Sequence, residues 1–139
     1  MELTAGVAGA NLDRRGPMEE RVFLYGTLRP GHAPQEIAGV VSRLRRIDAG
    51  TVRGRRYELG AYPVAYPGVV LDDAAGEVRG EVYAVPDGET LRRMDAYEGF
   101  YADDVAGSLF VRVKAQVALE GGASEACWAY VYNGPVPTG

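Results

Sequence analysis

The sequence predicts a small α+β domain, with five to seven short strands in a curled or closed antiparallel-to-mixed sheet and two helices on its flank. Three observations carry that expectation. Apolar and polar residues alternate over several short runs, 19 Gly and 8 Pro punctuate the 139-residue chain closely, and its middle strings strands together without helices between them. The last point disfavours a doubly wound parallel fold, which requires strand and helix to alternate. The length suits one domain with a proper hydrophobic core.

Met1–Glu20 shows neither strand nor helix period and reads as a flexible leader, followed by one domain over 21–135 and a tail over 136–139. Order begins at Arg21-Val22-Phe23-Leu24-Tyr25, an aromatic and β-branched run ended by Gly26, which predicts a short buried strand. A long turn follows through Pro34, because Pro30 and Pro34 forbid an earlier helix. Ile37, Val40, Val41, Leu44 and Ile47 recur at helical spacing, so a helix is expected over Gln35–Arg46. Strands are expected over Thr51–Leu59 and Gly80–Val85, with an extended segment at Pro63–Pro67. Asp87–Glu98 is the second helix, capped by Asp87, stopped by Gly99, and turning Leu91, Met94 and Tyr97 inward. Leu109–Leu119 and Ala126–Tyr132 complete the sheet through a Gly121-Gly122 hairpin.

Composition excludes several functions. The formal net charge of -4 argues against a general nucleic-acid binder, and Lys114 is the one lysine among 15 basic residues. A single cysteine, Cys127, excludes an internal disulfide framework or a thiolate metal cluster. His32, the one histidine, limits Ser-His and Cys-His dyads to those built on itself. No apolar run approaches the roughly 20 residues of a membrane helix, and Met1–Ala10 lacks a secretory pattern. A soluble, cytoplasmic protein with no nucleic-acid or membrane partner is expected, whose chemistry runs on carboxylates, tyrosines, arginines and backbone groups.

Three places can carry chemistry. In Tyr25-Gly26-Thr27-Leu28-Arg29, a glycine after a buried strand lets backbone N–H groups converge on a carboxylate or oxyanion, with Thr27 and Arg29 as further donors. The alternative is an ordinary turn in which Gly26 supplies a positive φ. Leu91, Met94 and Glu98 share one helical stripe, so a buried stripe would bury the Glu98 carboxylate and raise its pKa into the range of a proton shuttle; an ionised Asp95 would push the same way. A solvated glutamate in a last helical turn is the alternative. Trp128, Tyr130 and Tyr132 fall on one strand face and either wall a pocket or fill a core. His32 reads as an exposed loop residue and Cys127 as a small buried hydrophobe. The pairs Asp72-Asp73 and Asp103-Asp104 lack cation-loop spacing, and Arg43, Arg45, Arg46, Arg53, Arg55 and Arg56 read as a solvated face paired with acids.

Taken together, Tyr25-Gly26-Thr27-Leu28, Gly80-Glu81-Val82-Tyr83, Met94-Asp95-Ala96-Tyr97-Glu98-Gly99 and Ala129-Tyr130-Val131-Tyr132-Asn133 resemble the γ-glutamylcyclotransferase superfamily, most closely its small AIG2-like branch. They occur in family order across Arg21–Asn133. The resemblance implies a compact mixed β-barrel with helices packed outside it and a pocket floored by the Tyr25–Leu28 loop. It implies Glu98 as the catalytic acid/base, and Tyr25, Gly26, Thr27, Leu28 and Tyr130 around a small γ-glutamyl substrate. The implied reaction is cofactor-independent: the substrate's own α-amine attacks its γ-carbonyl, releasing 5-oxoproline and an amine or amino acid. Closing a five-membered ring within one molecule needs positioning rather than a protein nucleophile. Two departures stand out. Phe110 and Arg112 occupy the place of a family Tyr-x-Arg, and the sequence ends soon after Tyr132, without the helical extension of longer relatives. They leave open a non-catalytic small-molecule or protein-binding module on the same fold.

Overall fold

Val22 and Phe23 are both fully buried, although adjacent strand residues face opposite ways. The computed structural model, which describes residues 20–26, 28–60 and 66–135, shows the cause: their strand has a barrel interior on one side and a helical layer on the other. The elements run β1 (Glu20–Leu24), α1 (Gln35–Val41), β2 (Arg45–Leu59), β3 (Tyr66–Leu71), β4 (Glu77–Val85), α2 (Gly88–Glu98), β5 (Phe110–Leu119) and β6 (Ser124–Tyr132). Neighbouring strands follow the order β3-β2-β4-β1-β6-β5, and β5 pairs back onto β2. Five strands thus close a ring, with β3 attached outside it. Pairings are antiparallel except between β1 and β6, where Val22 lies beside Trp128 and Phe23 beside Ala129. The expected mixed barrel with flanking helices is the fold observed.

Alternation along each strand sorts the core into two layers. Phe23, Val52, Val82, Val117, Cys127 and Ala129 fill the interior, whereas Val22, Leu24, Tyr83 and Tyr130 meet Ile37, Val41, Leu91 and Met94 of the helices. Closure brings backbones close. A Cβ on Gly50 would stand 2.8 Å from the Val117 Cγ1, and one on Gly80, its partner across the ladder, 2.5 Å from the Leu24 carbonyl oxygen and 2.6 Å from the Phe23 Cζ. Side chains at either position would push the strands apart.

Several boundaries differ from the sequence expectation. Glu20, assigned to the leader, opens β1 opposite Val85; the rest of the leader and the tail over 136–139 lie outside the described residues. Helix α1 stops at Val41 rather than Arg46, because Arg43 and Leu44 donate to the carbonyls of Val40 and Val41 in tight turns and Arg45 then pairs with Ala84. Ile47 is therefore a strand residue. β2 is longer than expected, with an irregularity between Arg46 and Asp48. β4 and β6 likewise start early, at Glu77 and Ser124. Of the Pro63–Pro67 segment, only Tyr66 and Pro67 are described; they begin β3, whose continuation through Val69 to Leu71 was not anticipated. Pro67 is tolerated there because β3 pairs only with β2 and leaves its other edge open.

Helix α2 matches its sequence signals. The Asp87 carboxylate accepts from the Thr90 N–H at 2.8 Å and the Thr90 hydroxyl at 2.7 Å, and Gly99 ends the helix in the left-handed region at φ 72°. Leu91 and Met94 are buried, but Tyr97 is 41% exposed and does not enter the core as expected. The hairpin between β5 and β6 turns through Gly122 at φ 104°. No helix among the described residues is long and apolar enough to cross a membrane.

Crowding at Gly80 has a measurable consequence. Gly80→Ala should lower unfolding free energy by about 1–3 kcal/mol, because the new methyl meets backbone rather than a flexible side-chain end. Urea denaturation checks this, and a change under about 0.5 kcal/mol would contradict the close approach.

Candidate active site

The chain leaves β1 at Tyr25 and turns, and that turn is pinned from outside. The Arg29 Nε donates to the Gly26 carbonyl at 2.7 Å, and its Nη1 donates to Glu81 Oε1 at 3.2 Å. Glu81 also accepts from the Tyr83 hydroxyl at 2.7 Å and from Arg46 Nε at 2.9 Å. Those two hydrogen bonds, Tyr83's foremost, hold its carboxyl down to about 2. Arg29 is thereby committed to β4 and does not line the cavity, contrary to the expectation of a positive charge in the site. Gly26 does not take the positive φ of the alternative, ordinary-turn reading. A Cβ there would lie 3.1 Å from Pro67 Cγ, so the glycine lets β3 close against the turn. Thr27 lies outside the described residues. Leu28 is buried and lines the cavity.

That cavity, of about 420 Å³, lies between the turn, β3 and the end of α2. Tyr25, Gly26, Leu28, Glu98 and Tyr130, all expected at the site, line it together. No hydrogen bond joins the Glu98 carboxylate to a described residue, and burial pushes its pKa up to about 7. Burial is the cause of that rise; the expected push from Asp95 is not, because Asp95 is occupied elsewhere. Its Oδ1 accepts from Arg112 Nε at 2.7 Å and from the Tyr130 hydroxyl at 2.7 Å, and its Oδ2 accepts from Arg112 Nη2 at 3.1 Å.

The tyrosines take distinct parts. The Tyr25 hydroxyl donates to the Tyr130 carbonyl at 2.6 Å, and burial followed by the Glu98 charge pushes this phenol well above its usual range. It stays protonated. Tyr130 is pushed up as well, by burial and then by its bond to Asp95, so its ring walls the cavity while its hydroxyl serves the helix. Trp128 and Tyr132 share its strand face without lining the cavity. Arg112 lies over the Trp128 ring, 4.3 Å from its centroid. Phe110 is a buried cavity wall against Tyr66 and Tyr132, with ring centroids at 6.3 and 5.9 Å.

Tyr66, Pro67 and Leu109 were not singled out from the sequence, yet all three line the cavity. Apolar residues scattered over separate elements carry no local signature; only the fold gathers them. The remaining candidates hold structural places. His32 is exposed and Cys127 fully buried. Asp72 and Asp104 accept turn N–H groups from Ala74 at 3.0 Å and Gly107 at 3.1 Å. Arg46 pairs with Glu81 and Arg56 with Glu58. Among the described residues, no cluster of His, Cys, Asp and Glu is suited to a metal ion. The assembled site offers a carboxyl group able to gain and return a proton near neutrality, protonated phenols, and a backbone turn beside it.

The family model for gamma-glutamyl cyclotransferase, AIG2-like, matches residues 22–139. A curated relative, the gamma-L-glutamyl-butirosin B gamma-glutamyl cyclotransferase of Niallia circulans, is 33% identical over 122 residues, spanning 84% of this chain and 72% of the relative. Among solved structures, an AIG2-like protein from Mus musculus matches with a TM-score of 0.65 at 25% identity, over 86% of this chain and 81% of that one. A protein from Arabidopsis thaliana matches with a TM-score of 0.64 at 23% identity, over 89% and 76%. With the family's match running through the barrel, the 25–28 turn and Glu98, the chain belongs to the gamma-glutamyl cyclotransferase, AIG2-like family.

Proposed function

We propose that the protein is a γ-glutamyl cyclotransferase that converts a small γ-glutamyl amine or γ-glutamyl-amino acid to 5-oxoproline and the free amine, with Glu98 as the proton shuttle. The observation that carries this reading is a largely desolvated carboxyl without a hydrogen bond to any described residue and with a pKa near 7, in a cavity also lined by Tyr25, Gly26 and Leu28. The related Niallia circulans protein is named a gamma-glutamyl cyclotransferase of gamma-L-glutamyl-butirosin B, which supports the same chemistry here.

The steps follow from the groups at hand. Ionised Glu98 takes a proton from the substrate's α-ammonium. The freed nitrogen lone pair attacks the γ-carbonyl carbon, forming the ring C–N bond and an oxyanion that the backbone N–H groups of the turn receive. As the old C–N bond breaks, its electron pair goes to the departing nitrogen, and Glu98 relays to it the two protons that the α-nitrogen loses in all. Products are a lactam and an ammonium. The protonated Tyr25 phenol keeps a neutral wall beside Glu98. Holding the folded conformer lowers the barrier because both reacting atoms belong to one molecule.

Glu98→Gln should cut 5-oxoproline release from γ-glutamyl amides by about 100-fold or more, with the fold retained. Chromatographic assay of release alongside far-UV circular dichroism checks this, and full turnover by the variant would refute the role of Glu98. The value of kcat/KM should rise with pH through an acid limb near 7, since the base must be ionised. A limb at ordinary carboxylate values, near 4.5, would place the shuttle elsewhere.

Stability should run the opposite way. A carboxyl raised in the fold costs nothing below its usual pKa of 4.5, increasingly more as pH climbs through 7, and the full amount above. Glu98→Gln should therefore be more stable than the parent at pH 8 by on the order of 2 kcal/mol and similar to it at pH 4. Thermal melts at the two pH values measure this; equal stability throughout would show that the carboxylate is not desolvated.

A further inference from the structure

Ring closure puts negative charge on an oxygen beside the 25–28 turn, yet no Lys, Arg or His is among the described residues that line the cavity. Helix α2 ends there at Glu98, and the carbonyls of a helix C-terminus disfavour an anion. The nearby cations hold the turn by its carbonyls instead. Arg56 Nη1 donates to the Tyr25 carbonyl at 3.3 Å, and Arg29 Nε donates to the Gly26 carbonyl at 2.7 Å. Two consecutive peptide units are thus each taken at the oxygen by a guanidinium. Arg29 is the better fixed, because its Nη1 also reaches Glu81 at 3.2 Å. Arg56 is exposed, and its Nε meets Glu58 at 3.5 Å.

Resting on the cyclotransferase reading, we infer that Arg29 and Arg56 are positioning residues, which aim and strengthen the backbone N–H donors of the turn for the oxyanion. A trans peptide points its N–H away from its C=O, so holding the carbonyl fixes the direction of the N–H in the same unit. Positive charge at the carbonyl end also polarises the unit, and linked hydrogen bonds strengthen one another. The arrangement keeps cation and base apart. An arginine inside the cavity would pair with Glu98 and pull its pKa down, which removes a base that works near neutrality. Carried through a peptide, the charge serves the oxyanion and leaves Glu98 its proton affinity.

Steady-state release of 5-oxoproline is measured with γ-glutamyl-methylamide and γ-glutamyl-phenylalanine, and variants are compared on whichever the parent protein turns over faster. Arg29→Met should lower kcat about 30-fold, less than the loss of a whole oxyanion donor, and leave KM within about 3-fold of the parent. Arg29→Lys keeps a charged donor for the Gly26 carbonyl and should hold kcat within about 5-fold of the parent. Arg56→Met, at an exposed position, should lower kcat about 3-fold with the fold intact, and decides the outcome if Arg29→Met does not fold. The acid limb of kcat/KM should stay in place in every variant, because Glu98 is untouched. Unchanged kcat in Arg29→Met or Arg56→Met, a loss confined to KM, an Arg29→Lys as slow as Arg29→Met, or a displaced acid limb overturns the inference and leaves the cyclotransferase reading standing. Failure of the parent protein to release 5-oxoproline from either substrate overturns that reading, and the inference with it.

Discussion

A carboxyl can be kept in an apolar cavity only if something other than its own hydrogen bonds holds its backbone there. Glu98 has no such bonds to described residues, and the holding is done one turn earlier, by Asp95. Its two oxygens take a forked guanidinium from Arg112 on β5 and the hydroxyl of Tyr130 on β6, with the ion-paired side chains only 17% and 14% exposed. Met94, the fully buried residue just before Asp95, anchors the same turn to the barrel. Removing one partner of so buried a pair leaves the other charge uncompensated. The clamp also accounts for Tyr130: its ring is free to wall the cavity because its polar end is satisfied behind it.

The other side of the site is held by a separate network built on the same logic. Arg29 closes the turn through the Gly26 carbonyl and fastens it to Glu81, which Tyr83 and Arg46 orient. Two carboxylates that never line the cavity, Asp95 and Glu81, thus set the positions of the helix end and the turn that do. Their own charges are matched locally. Of these three carboxylates, Glu98 has no hydrogen bond or ion pair to a described residue, a condition that suits a reactive group.

Much of this was legible in sequence wherever the cause is local. Asp87 and Gly99 bracket α2 because capping geometry depends on residues a few positions apart, and the Gly121-Gly122 turn is equally self-contained. Glu98 and the 25–28 turn stand out in sequence through the family resemblance, and Tyr25, Gly26, Leu28 and Glu98 line one cavity, while Thr27 falls outside the described residues. The misses share a non-local cause. Helical spacing carries α1 too far, to Arg46, because Leu44 and Ile47 give no sign that Arg45 pairs with Ala84. Arg29 reads as a site cation until β4 brings Glu81 beside it, and Gly26 reads as a positive-φ turn until β3 brings Pro67. The continuation of β3 and the apolar wall went unnoticed because their meaning comes from what the barrel places opposite them.

That third strand has a consequence for how the molecule breathes. β3 is hydrogen-bonded along one edge only, while every strand of the ring is paired on both sides. Fraying β3 breaks no ring pairing, yet it carries Tyr66 and Pro67 away from the cavity and removes the neighbour that Gly26 abuts. Opening of the cavity is therefore separable from breaking the ring's own ladders, although it uncovers Val69, which is 1% exposed in the core. Pro67, with no N–H to offer, also blunts that open edge against strand addition by a second chain. An element the barrel can do without in order to close thus supplies part of the wall of its site.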